Sequence, residues 1–211
     1  MKLRLALGAL VAGALMLNVG DALAQQTAGT YASLSAGLTF NRDIEGDVEG
    51  VEVTGEYDNP GYAIWAALGY RFGNGFRAEV ELGYGRIEAE SVSFLGVSVP
   101  VDGTADLFSV TINGFYDFNV GGVVTPYIGG GVGVLHSSVD EVTATVGSTT
   151  ITAEGDDSTD LTAFAEAGVA VSVAQQLELV PAYRFQWVNN GEDGFDDGMA
   201  HVVKVGLRYT F

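Results

Sequence analysis

Apolar and polar residues alternate one by one along most of this chain, and that period fixes what it can fold into. A period of two puts successive side chains on opposite faces of an extended strand. In the segment 76–84 one face carries Phe76, Ala78, Val80, Leu82 and Tyr84, the other Arg77, Glu79, Glu81 and Gly83. In 108–118, Phe108, Val110, Ile112, Gly114, Tyr116 and Phe118 oppose Ser109, Thr111, Asn113, Phe115 and Asp117. In 126–134, Ile128, Val132 and Val134 oppose Gly129, Gly131 and Gly133. Segments 177–185 and 201–211 repeat the pattern, and 30–40, 61–72 and 161–173 carry it less regularly. Eight such segments predict an all-β chain.

Each segment reaches the length of about 9–11 residues that a tilted strand needs to cross a membrane. The connections between them alternate in length. Three are short (73–75, 119–125, 174–176) and four are long (41–60, 85–105, 137–160, 188–200). That layout predicts an eight-stranded antiparallel up-and-down transmembrane β-barrel with both termini on the short-turn side. A lipocalin-like soluble barrel would share the period with the apolar face turned inward. Three features favour an apolar face toward lipid. Aromatic residues gather at both strand ends, with Tyr70, Phe72, Phe76, Tyr116, Phe118, Tyr209 and Phe211 at one and Tyr62, Tyr84, Phe108, Phe185 and Trp187 at the other. The polar face is rich in Gly and Ser, which a narrow interior needs among its larger residues. The segments also exceed the usual strand of about 5–6 residues.

On this reading ten ionisable residues face the lumen: Arg71, Arg77, Arg184, Lys204 and Arg208 against Glu79, Glu81, Asp117, Glu166 and Glu178. Buried charges must be paired, so five against five predicts a filled, salt-bridged interior. Trp65 falls on the same face by parity. The remaining acid concentrates in the long connections. In and beside them, twenty-one carboxylates stand against two bases, Arg42 and Arg86, a sum of −19 that the +1 of the N-terminal segment brings to the net charge of −18. This balance excludes a nucleic-acid surface, which needs a basic patch. Cysteine is absent, which excludes disulfides, thiolate chemistry and cysteine-based metal sites.

The N-terminus reads as an address. Lys2 and Arg4 precede an apolar run to Val19, and Ala22-Leu23-Ala24 forms a small-residue exit. A secretory signal peptide over residues 1–24 is expected, with the barrel domain over 25–211.

Several segments resemble the small outer-membrane β-barrel family of the OmpA/OmpX transmembrane type. Asn113-Gly114-Phe115-Tyr116-Asp117-Phe118, a short turn, and Pro126-Tyr127-Ile128-Gly129-Gly130-Gly131-Val132-Gly133 are similar to its fourth and fifth strands. The end Val205-Gly206-Leu207-Arg208-Tyr209-Thr210-Phe211 is similar to its last strand. The resemblance implies a bacterial outer-membrane location, with lipid and lipopolysaccharide as neighbours and periplasmic chaperones on the route. It also implies that Val205, Leu207, Tyr209 and Phe211 form the signal read by the barrel assembly machinery. No peptidoglycan-binding domain is expected after the barrel.

No enzymatic role is expected. The histidines are His136 and His201, and Ser137 beside His136 points to the opposite face, so the adjacency is no catalytic pair. No cofactor is expected. Ca²⁺ is the candidate ligand of the acidic connections, through Asp43, Asp47, Asp193, Asp196 and Asp197, because flexible oxygen-rich loops suit it. The expected role is that of a structural, surface-exposed protein of the envelope. A narrow solute or ion channel and an adhesin acting through the loops are the alternatives.

Overall fold

The structure, a computed structural model, describes residues 28–48, 51–94, 97–139, 142–146, 149–153, 155, 157–189 and 197–211. The expected signal peptide therefore lies outside the described residues.

Eight long strands close a barrel: β1 (Gly29–Asn41), β3 (Val51–Arg71), β4 (Phe76–Phe94), β5 (Val97–Asp117), β6 (Val124–Val139), β9 (Asp157–Ala174), β10 (Leu177–Val188) and β11 (Gly198–Thr210). Each pairs antiparallel with its sequence neighbour in this set. Closure comes from β1 against β11, in register from Tyr31 with Thr210 to Asn41 with Ala200. A closed barrel leaves no strand edge unpaired, which is what backbone in a hydrocarbon layer requires. No helix occurs among the described residues.

The short connections are tight. Gly73 and Gly75 have φ of 75° and 91°, a region that L side chains avoid. Between them the Asn74 side chain accepts a bond from the Phe76 amide at 3.1 Å. Asn119 repeats the device on the Gly121 amide at 3.2 Å.

The long connections differ from the expectation. Rather than irregular loops over 41–60 and 85–105, the structure carries β3, β4 and β5 far past the barrel rim. Val53 pairs with Phe94, and Phe94 with Val97. Among the described residues three further short strands, β2 (Ile44–Val48), β7 (Val142–Val146) and β8 (Thr149–Ala153), pair on this extension. The reason is that a ladder satisfies backbone groups whether or not either face is buried.

The side-chain distribution is inside out. Ile112 is 68% exposed and Leu68 64%, whereas Arg184 is 2% exposed and Glu81 3%. A soluble barrel would reverse these values. The outward face is an apolar band bounded at the short-turn end by stacked rings. Phe76–Tyr116, Tyr116–Phe118 and Tyr209–Phe211 meet edge to face at 5.0, 5.1 and 5.4 Å. At the other rim Tyr62, Tyr84, Phe108 and Tyr183 are exposed on the same outer face.

Candidate functional site

The interior is built from side chains of all eight barrel strands, and glycines give them room. Tyr31 lies across Gly69, and Phe164 across Gly131. A Cβ at Gly131 would come within 2.7 Å of the Phe164 ring. The lumen is thus filled by large side chains facing missing ones.

The ten ionisable residues expected in the lumen lie on the inner wall; nine are buried, and Glu178 is partly exposed. They separate into two layers. The layer nearer the short turns holds Arg71, Arg77 and Arg208 with Glu79, Asp117 and Glu178. Arg77 Nε donates to Asp117 Oδ1 at 2.8 Å, and Arg71 Nη2 and Arg208 Nη1 meet Glu178 Oε2 at 3.0 and 3.1 Å. Arg71 Nε and Asp117 Oδ2 stand 3.6 Å apart, within ion-pair range but too far for a hydrogen bond. Tyr31 ties the layer together: its hydroxyl donates to Glu79 Oε2 at 2.7 Å and accepts from Arg77 Nη1 at 3.0 Å.

The second layer holds Arg184 and Lys204 with Glu81 and Glu166. Arg184 meets Glu81 through two parallel bonds of 2.8 and 3.1 Å, and its Nε donates to Glu166 Oε2 at 2.9 Å. Lys204 Nζ lies 3.0 Å from Glu166 and 3.4 Å from Glu81. Tyr127 donates to Glu166 Oε1 at 2.8 Å. Aromatic faces cover what the carboxylates leave: the Arg184 guanidinium sits 3.6 Å from the Phe164 centroid, and that of Arg77 sits 4.4 Å from Phe115. Each layer is formally neutral, three against three and two against two. A void of about 20 Å³ separates them, room for about one water.

On the outer face at the far rim, Arg86 and Asp106 form a two-pronged pair at 2.7 and 2.8 Å, and Tyr84 donates to the same carboxylate at 2.9 Å. Arg86 and Asp106 pair two positions beyond the cross-strand pair Tyr84–Phe108. Hydrogen bonds from Arg86, then Tyr84, hold the Asp106 carboxyl below the ordinary carboxylate range. His136 and His201 are also on the outer face. They bond Thr159 Oγ1 at 2.9 Å and the Tyr183 hydroxyl at 2.6 Å.

Of the residues considered for Ca²⁺, Asp43 is exposed, and the side chain of Asp47 and the whole of Asp193 and Asp196 lie outside the described residues. Asp197 accepts from Trp187 Nε1 at 3.0 Å and Asn189 Nδ2 at 3.2 Å. Val205, Leu207 and Tyr209 are exposed on the outer face of β11, and Phe211 is exposed just past its end.

An inside-out, closed antiparallel barrel with an apolar belt, aromatic rims and a charged interior is an outer-membrane β-barrel. The chain belongs to the outer membrane protein beta-barrel domain family, whose profile matches residues 7–211. Among curated proteins it is 28% identical to an uncharacterized protein of Brucella abortus, over 82% of this chain and 78% of that one. The fold is similar to that of Neisserial surface protein A (TM-score 0.55, 18% identity, 87% of this chain and 97% of that chain). It is also similar to a major outer membrane protein from Thermus thermophilus (TM-score 0.54, 15% identity, 86% and 99%). The outer membrane protein OprG from Pseudomonas aeruginosa has TM-score 0.52 and 16% identity, over 88% and 97%. The location that goes with this family is the bacterial outer membrane. The family and these solved relatives are outer-membrane barrels rather than enzymes.

Proposed function

We propose that this protein is a structural, surface-exposed barrel of a Gram-negative-type envelope that anchors an acidic extracellular platform and conducts neither ions nor solutes. The observation that carries this reading is the pair of neutral, hydrogen-bonded charge layers across the lumen, with Arg184 fixed by Glu81 and Glu166. Eight strands enclose only enough space for side chains to fill. The extended hairpins of β3, β4 and β5 supply a hydrogen-bonded stem for the acidic tips. Export by the 1–24 signal, insertion directed by the β11 face, and bridging of the acidic tips to lipopolysaccharide through Ca²⁺ belong to the same proposal.

A deletion strain tests it. Loss of the gene is expected to sensitise cells to detergent and large antibiotics without slowing uptake of small solutes. Unchanged detergent resistance together with slower uptake would overturn the structural reading in favour of the channel.

A further inference from the structure

Beyond the second charge layer the lumen opens into a cavity of about 400 Å³. That is within the span of about 300–1,000 Å³ typical of small-molecule sites. Its floor is Trp65, 5% exposed, clustered with Ala63 and Val202. The ring already carries cations on the lumen side, with Lys204 Nζ at 5.2 Å and the Arg184 guanidinium at 5.4 Å from its centroid. Gly83 makes the seat possible, because a Cβ there would stand 2.7 Å from the indole Cδ1 and 2.9 Å from Nε1.

The indole N–H has no hydrogen-bond partner among the described residues, and it is not sealed from the cavity that Trp65 lines. A buried Trp N–H ordinarily finds one. The Ser109 hydroxyl, in a residue only 9% exposed, is likewise without a partner there and lines the same cavity. Asp160 stands opposite. It accepts from Ser158 at 2.6 Å and makes no ion pair among the described residues, while Arg42 and Arg86 stand elsewhere on the lining.

The register joins these groups. Trp65 pairs with Gly83, Gly83 with Ser109, Ser109 with Leu135, and Leu135 with Asp160. All five line the cavity, on an arc across five of the eight barrel strands. The donors Trp65 and Ser109 therefore look across an apolar space toward a carboxylate. Ala63, Ile87, Leu107, Val188 and Ala200 line that space. The mouth lies at the end of the barrel that carries the long connections, in and beside which the sequence places twenty other acids against two bases, Arg42 and Arg86, a field that concentrates cations.

We propose that this cavity is a blind binding cup for a small amphipathic amine. Its ammonium pairs with Asp160, its apolar body fills the walls, and an oxygen at its far end accepts from Trp65 Nε1 and Ser109.

The test uses the full barrel in lipid nanodiscs and reads the indole N–H resonances of its two tryptophans, assigned with Trp187→Phe. Three probes share one phenol body: tyramine (ammonium), para-ethylphenol (neutral) and para-hydroxyphenylpropionate (carboxylate). The expected result is a saturable shift of the Trp65 resonance alone, with tyramine binding about tenfold more tightly than para-ethylphenol and the carboxylate weakest. Asp160→Asn should remove the preference for tyramine, and Ser109→Ala should weaken all three. No Trp65 shift, or equal affinity for the three probes, would overturn the proposal; the native protein alone gives that answer if a variant does not fold. A tyramine preference that survives in folded Asp160→Asn would also overturn it.

Discussion

Arg184 on β10 and Glu81 on β4 are 103 positions apart in the chain and meet across the lumen through two parallel bonds of 2.8 and 3.1 Å. Both are almost fully buried, so neither has water to fall back on. Glu81→Gln leaves Arg184 and Lys204 sharing one carboxylate, that of Glu166. Removing one partner of a buried pair costs about 3–5 kcal/mol. Urea unfolding in lipid should show a loss of that size. Glu81→Gln combined with Arg184→Met should lose less than the sum of the two single variants, since the second change removes the charge that the first one stranded.

Glycines on the two faces of the wall should respond oppositely to a methyl group. At Gly131 a Cβ would collide with the Asn113 carboxamide and stand 2.7 Å from Phe164, while at Gly114 nothing lies within 4 Å. Gly131→Ala is expected to destabilise by about 1–3 kcal/mol through overpacking. Gly114→Ala should be neutral or slightly stabilising by the same unfolding measurement.

The outward apolar face should not tolerate charge in its middle. Ile112→Lys is expected to cost about 2–4 kcal/mol, the depth-dependent penalty of a lysine near the bilayer midplane. Unfolding from lipid vesicles reads it. A soluble barrel would accept lysine at a position 68% exposed with little change.

The rim trio carries a small pH dependence of known sign. Hydrogen bonds from Arg86 and Tyr84 lower the Asp106 carboxyl in the folded state. Its contribution is therefore complete above the ordinary carboxylate range and is lost as pH falls through the lowered value. Carboxyl NMR titration should find Asp106 below the ordinary range, and Arg86→Gln should move it up.

Much of this architecture is legible in the order of the residues. Alternation locates all eight barrel strands and their lipid-facing side, because a strand with one face in lipid and the other in a polar lumen must repeat every two residues. Parity also separates Trp65 from its neighbours Ile64 and Ala66. The hairpin extensions are not legible. In Val97-Ser98-Val99-Pro100-Val101 the alternation persists, but Pro100 and the nearby acids read as a connection, and neither hydrocarbon nor a filled lumen sets the pattern there. Which charge meets which is illegible as well. Arg184 finds Glu81 rather than Glu79 because barrel tilt and stagger decide which wall positions share a height, and no single strand records that. The arc from Trp65 to Asp160 depends on four registers at once, so it appears only when the sheet is closed.

Single-channel recording in planar bilayers tests the central claim most directly. A lumen closed by two neutral charge layers predicts no steady openings for the native barrel. Openings are expected only when a layer is dismantled, as in a barrel carrying Glu81→Ala, Glu166→Ala and Arg184→Ala together. Steady, ohmic openings of the native protein, abolished by changing Glu79 or Arg184, would contradict it.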